Sequence, residues 1–269
     1  MSEDRVTISV DGGVADVRLN RPDKMNALDS AQFAALHSAA EQLAGDAGVR
    51  AVVLSGEGRA FCAGLDFSGF QSMAGDGDSA SQLGDVDEGR ITHYAQQAVY
   101  GFSQLRVPVI AAITGVALGA GIQLALGADI RIIAPDAKMS VLEIRWGIVP
   151  DMTGTRRLAE LVGVDVAKEL VWTGRMVEGP EAVQLGLATK LADDPHAAAM
   201  ELAQEIASKS PHAIQAGKRL MNGARLLDDA AGFAVERAEI GALVGSPNQV
   251  ESITAYFEQR APEYTDPEL

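Results

Sequence analysis

Apolar and polar residues alternate at Val6, Ile8 and Val10, and apolar positions resume at Val14, Val17 and Leu19 beyond Asp11-Gly12-Gly13. Period-two patterning across a glycine turn predicts a β-hairpin. Asp29 stands where an N-cap is expected, ahead of a helix with Phe33, Leu36 and Leu43 on its apolar face. Val49 to Leu54 reads as a buried strand closed by Ser55-Gly56-Glu57-Gly58, and residues 71–90, rich in Gly, Asp and Ser, read as a mobile segment. A helix is predicted from about Ile91 to Leu105, and a strand from Val109 to Ile113 after Pro108. A glycine-rich turn then covers 115–121, a short helix 121–127 and a strand 129–134. Helical patterns fill 153–186, Leu187 to Leu191 is a short strand, and the chain from Pro195 to Arg260 is helical with breaks near Pro211, Asp228 and Pro247. Strands alternating with helices, then a helical tail, predict an α/β core with an α-helical appendage. The division falls between a core at 1–194 and a helical region at 195–269, and no internal repeat suggests a solenoid.

Composition narrows the function classes. The chain has 269 residues, and at 47% hydrophobic it can bury a sizeable core. Its net charge is −15, with 37 acidic and 22 basic residues and no Lys/Arg run, so nucleic-acid binding is not expected. An anionic ligand would need a local cationic patch against that field. Cys62 is the only cysteine, which excludes an internal disulfide and a four-cysteine metal site. The N-terminus has no apolar core of a signal peptide, and the stretch Val107–Ala128 is interrupted by Thr114, Gln123 and four glycines. A cytoplasmic protein without a membrane span is the expectation.

Candidate chemistry gathers in three segments. Gly115, Gly119 and Gly121 precede a helix; free N–H groups at such a turn favour negative charge, although a tight core turn has the same composition. The spacing is not that of a dinucleotide fingerprint. Phe61-Cys62-Ala63-Gly64-Leu65-Asp66 forms a second small-residue turn that could supply a second N–H, the pair making an oxyanion hole. Cys62 is read as a small structural cysteine rather than a nucleophile. Glu143 and Asp151 lie eight residues apart in a mainly apolar stretch, where burial would raise their pKa values toward proton-transfer duty. The alternatives are that Glu143 pairs with Arg145 or Arg156, and that Asp151 caps a helix near Thr153. His93 either reaches the same region or serves packing.

Asn20-Arg21-Pro22-Asp23-Lys24-Met25-Asn26-Ala27-Leu28, Ala63-Gly64-Leu65-Asp66, Pro108 through Asp129, Gly154-Thr155-Arg156-Arg157-Leu158 and Thr173-Gly174-Arg175 together resemble the crotonase family of enoyl-CoA hydratases and isomerases. The resemblance implies an α/β spiral of ββα units with C-terminal helices that cover the active site and drive assembly into homotrimers or dimers of trimers. It implies an acyl-CoA substrate, no metal and no separate cofactor, in fatty-acid or related acyl-CoA metabolism. The Leu65 and Ala120 N–H groups would form the oxyanion hole, with alanine where the family usually has glycine. Arg21, Lys24, Ala63 and Asp66 would lie at coenzyme A, and Tyr256 or Phe257 would approach the adenine held by an adjacent subunit.

The catalytic positions depart from the hydratase pattern. Of the two glutamates hydratases use, Glu143 matches the second, and Gln123 stands at the first. Glutamine orients water but is no base at neutral pH. The Glu143–Asp151 pair resembles the dienoyl-CoA isomerase branch, which also has an acid where Gln123 stands. An aspartate at Asp151 also resembles the dehalogenase branch, which has Trp where Glu143 stands. Double-bond isomerisation is therefore the favoured expectation. The alternatives are a conventional 2-enoyl-CoA hydratase and a non-catalytic acyl-CoA binding protein.

Overall fold

The computed structural model describes residues 4–66, 86, 89–224 and 226–269, so most of the segment 71–90 read as mobile lies outside the described residues. The hairpin forms as predicted: β1 (Val6–Asp11) pairs antiparallel with β2 (Val14–Leu19), from Val6 opposite Leu19 to Asp11 opposite Val14. From β2 onward the main sheet is parallel, through β3 (Ala51–Gly56), β4 (Val109–Ile113), β6 (Ile130–Ile133) and β9 (Lys190–Leu191). A smaller sheet holds β5 (Val116–Leu118), β7 (Lys138–Ser140) and β8 (Val177–Glu178) in the order β5-β7-β8.

Successive turns of chain repeat one path. β4 runs in the main sheet and β5 in the small one, before helix α3 (Ala120–Leu126); β6 and β7 then repeat the pattern one layer on. Cys62 bridges to Ala117, so the chain after β3 joins the same stack. This is the expected spiral of ββα turns.

Both faces of the main sheet are covered, which explains why its central strands read as continuous apolar runs. Val52, Leu54, Val109 and Ala111 face one cluster, with Phe33, Leu36, Ala39 and Leu43 of α1 (Ser30–Ala44) and Val99 and Phe102 of α2 (Tyr94–Ser103). Ala51, Val53, Ile110 and Ile132 face the other, under Ala199, Ala203 and Ala207 of α7 (Pro195–Ala207). These alanines recur every fourth residue, so α7 lies close on the sheet with a flat face. The 194/195 division thus falls just before a helix that completes the core. Asp29 caps α1 as predicted, its carboxylate accepting from the Gln32 N–H at 2.8 Å, a contact worth about 1 kcal/mol.

Some boundaries differ from expectation. The stretch 153–186 splits into α4 (Gly154–Val162), α5 (Val164–Thr173), β8 and α6 (Gly179–Leu185). Gly163, at φ 83°, ends α4 and starts α5. The tail breaks where predicted, into α8 (Pro211–Gly223), α9 (Asp229–Leu243) and α10 (Pro247–Glu258). Among the described residues no helix is long and apolar enough to cross a membrane.

Candidate active site

Two backbone turns meet where the small sheet joins α3. The Leu118 N–H donates to the Cys62 carbonyl at 3.0 Å, and the Cys62 N–H donates to Val116 at 3.0 Å, so segment 62–66 runs beside turn 118–120. On its other side the Leu28 N–H donates to Gly64 at 2.7 Å, and the Asp66 N–H donates to Leu28 at 2.9 Å. Gly64, at φ 96°, permits the approach: a Cβ there would lie 2.6 Å from the Leu118 carbonyl oxygen. Gly119 has φ 52° and ψ −118°, a conformation strongly favouring glycine, and its N–H donates to Ser140 of β7. Among the described residues neither the Leu65 nor the Ala120 N–H donates a backbone hydrogen bond. Two adjacent N–H groups are thereby left available to an oxygen carrying negative charge. Ala120 is the first residue of α3 and has no positive φ, so its Cβ is accommodated where the family usually has glycine. With α3 only seven residues long, the attraction rests on the N–H groups more than on a helix dipole.

Beside these turns lies Glu143, in a 3₁₀ turn over Leu142–Trp146, with 6% of its surface exposed. A Cβ built on Gly119 would stand 3.8 Å from Glu143 Oε1, which places the carboxyl against the turn. Gln123 Nε2 donates to Glu143 Oε1 at 2.7 Å. Gln123 Oε1 accepts from the Met152 N–H at 2.8 Å and the Gly154 N–H at 3.2 Å. Those two donors fix the amide orientation, since its flipped form would oppose N–H to N–H. Glu143 Oε2 is buried with no hydrogen-bond partner among the described residues. Burial pushes the Glu143 pKa up; its own backbone N–H and Gln123 offset part of this, and Asp151 adds to it.

Asp151 stands between buried Pro150 and Met152. Burial of its carboxyl raises its pKa, while the charge of His93 and its own backbone N–H pull it down. Neither structural alternative for the two acids is observed. Glu143 bonds Gln123 rather than an arginine, and Arg156 pairs with Glu160 at 2.9 Å. The residue at the head of α4 is Thr153, left-handed at φ 69°, with no side-chain cap. His93 caps α2: its Nδ1 accepts from the Gln96 N–H at 3.4 Å, and its own N–H donates to Gln96 Oε1 at 3.1 Å. It is therefore both a helix cap and an electrostatic neighbour of Asp151.

Cys62 is fully buried, donates its Sγ–H to the Asn26 carbonyl at 3.1 Å, and has its thiol pushed up to about 12 by burial. A thiol so seldom ionised is structural, as expected. Arg21 turns inward, donating to Asp66 at 2.7 Å and to the Ala27 carbonyl at 3.0 Å, with Asp29 3.4 Å away. It thus tethers the 62–66 turn to the segment before it. Lys24 ends the 3₁₀ turn Pro22–Lys24 and is exposed; the Ala63 N–H donates to Met25 at 2.9 Å. Tyr256 is exposed on α10, edge-to-face with Phe257 at 5.6 Å. The structure brings Leu65, Ala120, Gln123, Glu143 and Asp151 into one neighbourhood with Arg21, Ala63 and Asp66 behind it. Lys24 and Tyr256 have no hydrogen bond to that group among the described residues.

Sequence reasoning missed Asn26 as a site-building residue. Its fully buried amide accepts from the Arg21 N–H at 2.8 Å and donates to the Glu57 and Ala60 carbonyls at 3.0 and 2.8 Å. A polar residue inside the Asn20–Leu28 motif was the available signal. Among the described residues no cluster of three or more His, Cys, Asp or Glu could hold a metal ion.

Comparison with known proteins places this geometry. The family described as enoyl-CoA hydratase/isomerase matches residues 9–267. A probable enoyl-CoA hydratase of Bacillus subtilis (strain 168) is 34% identical over 96% of this chain and 98% of its own length. A short-chain-enoyl-CoA hydratase of Clostridium acetobutylicum is 32% identical over 97% of both. The crystal structure of an enoyl-CoA hydratase from Bacillus anthracis superposes with a TM-score of 0.86 at 31% identity, covering 97% of this chain and 98% of that one. Two converging backbone turns, a buried glutamate beside them and a family match over nearly the whole length agree, and the chain belongs to the enoyl-CoA hydratase/isomerase family of acyl-CoA enzymes.

Proposed function

We propose that the protein isomerises double bonds of unsaturated acyl-CoA thioesters. The Leu65 and Ala120 N–H groups hold the thioester oxygen as it gains charge, each donor contributing roughly 3 kcal/mol to the transition state. From a 3,5-dienoyl thioester, Glu143 takes a proton from the α-carbon. The electron pair is delocalised onto the thioester oxygen and along the conjugated chain, and Asp151 gives a proton to the distal carbon. Glu143 then releases its proton and Asp151 regains one from solvent, which restores both groups. Burial, which raises the pKa of Glu143, makes its carboxylate a stronger base than a solvated one, and burial of the Asp151 carboxyl favours the proton it delivers.

The observation that carries this reading is the state of Gln123. Its amide oxygen accepts two N–H groups and its NH₂ faces Glu143, so it offers no second base for water addition. The carboxylate electrostatically linked to Glu143 is Asp151. In the same reading Lys24, Ala63 and Tyr256 contact coenzyme A, Arg21 acts through Asp66, and the enzyme is a homotrimer or a dimer of trimers. A second reading, conventional 2-enoyl-CoA hydration, is favoured by the hydratase names of its relatives; Gln123 would then orient the attacking water.

Assays of the purified protein with 3,5-dienoyl-CoA and 2-enoyl-CoA discriminate. We expect turnover of the dienoyl substrate, abolished in Asp151→Asn with acyl-CoA binding retained. Unchanged isomerisation in that variant would overturn the assignment of Asp151. Hydration alone would favour the second reading, and tight acyl-CoA binding with no turnover of either substrate would indicate a binding protein.

A further inference from the structure

A cavity of about 570 Å³ opens between the end of α2, the start of α4 and the end of α8. Among the described residues Arg106, Arg156, Arg157, Lys218 and Arg219 line it, against one carboxylate, Glu160. In a chain of net charge −15, this concentration of cations opposes the overall field. Their pairing is incomplete. Arg156 and Arg157 share Glu160, at 2.9 and 3.4 Å. Lys218 bonds Asp129 at 2.7 Å, Arg219 bonds Glu239 at 2.7 Å, and Arg106 donates to the Glu268 backbone carbonyl at 2.9 Å. Among the described residues these five cations bond three carboxylates, which leaves an excess of positive charge around the cavity. Lys218 is itself largely buried there, and that burial lowers its pKa against the pull of Asp129.

The cavity is distinct from the thioester-facing turns. Thr153 lines it, whereas the N–H groups of the neighbouring Met152 and Gly154 are turned to Gln123. Its volume is within the range of small-ligand sites, roughly 300–1,000 Å³. Guanidinium forks match the oxygens of a phosphate bidentately, and several converging cations suit a dianion better than a single carboxylate.

We propose that this cavity is a binding site for a phosphate-bearing small anion. The inference is independent of whether the reaction is isomerisation or hydration. The phosphate could belong to a free metabolite or to coenzyme A itself, and the test separates these sources.

The full-length protein is titrated calorimetrically with inorganic phosphate, and then with phosphate in the presence of saturating coenzyme A. Saturable binding is expected, weakened at least tenfold in Arg156→Gln/Arg157→Gln and also in Arg106→Gln, whose only bonded partner among the described residues is a backbone carbonyl. Phosphate binding that persists beside coenzyme A, with acyl-CoA KM unchanged in Arg106→Gln, assigns the site to a free phosphorylated ligand. Displacement by coenzyme A with a raised KM in that variant assigns it to the coenzyme's own phosphate. No saturable binding, or binding indifferent to all of these substitutions, overturns the proposal. So does loss of the oligomer in the variants with no phosphate binding in the parent, because a second copy of the chain would then fill the cavity.

Discussion

One oxygen of the Glu143 carboxyl bonds Gln123 and the other is buried without a partner among the described residues, so the ionised form is poorly solvated where it sits. Its folded-state pKa is raised above the unfolded value of about 4.3. A raised carboxyl favours the folded state below the unfolded pKa, and that contribution is lost as pH rises through the folded value. Glu143→Gln removes the titration. The stability of Glu143→Gln relative to the parent should therefore rise as pH increases above about 4. Thermal denaturation across that range checks it, and a flat difference contradicts the buried, raised carboxyl. The charge of Asp151 adds to the upward shift of Glu143. At this scale the identities of Glu143, Asp151 and Gln123 were legible in the sequence. The direction of the Gln123 amide was not, because its fixing donors lie 29 and 31 residues further along the chain.

The turn before α3 shows how an element positions chemistry. A Cβ on Gly119 would meet nothing closer than 3.8 Å, so Gly119→Ala introduces no clash. It does place a side chain on a backbone at φ 52° and ψ −118°, a strain of about 1–3 kcal/mol. Relaxing that strain turns the peptide and redirects the Ala120 N–H. The variant should remain folded, melt lower, and lose on the order of 10²-fold in kcat. A variant with parental melting and turnover would separate the Ala120 N–H from catalysis. The hairpin, the cap of α1 and the tail breaks were legible because period-two alternation, Asp29 and the prolines act locally. The small sheet was not. Its strands run two or three residues, too short for any period, and they exist because β7 pairs with β5 on one side and β8 on the other.

At the scale of the whole molecule, α9 buries none of its residues within the chain and exposes Phe233 and Ile240. Apolar surface of this kind on a helical tail is what the proposed homotrimer would cover. Ile240→Asp should shift the particle measured by light scattering after size exclusion toward the monomer mass, with the circular dichroism of the fold retained. A parental mass in that variant would remove α9 from the proposed interface. The alternation of strands and helices, the absence of a basic run, the ordered family motifs and the identity of the acidic pair were determined by sequence alone, because propensity, charge and motif spacing are written along the chain. Tertiary structure decided which groups meet. Parallel pairing of β3, β4 and β6 and the stacking of the small sheet bring the segments 62–66, 118–123 and 143–154, far apart along the chain, together. The same folding turned Arg21 inward to Asp66 and gathered five cations around one cavity. Such contacts depend on which elements share a sheet or a helix face, and that information exists only once the chain has closed its long-range loops.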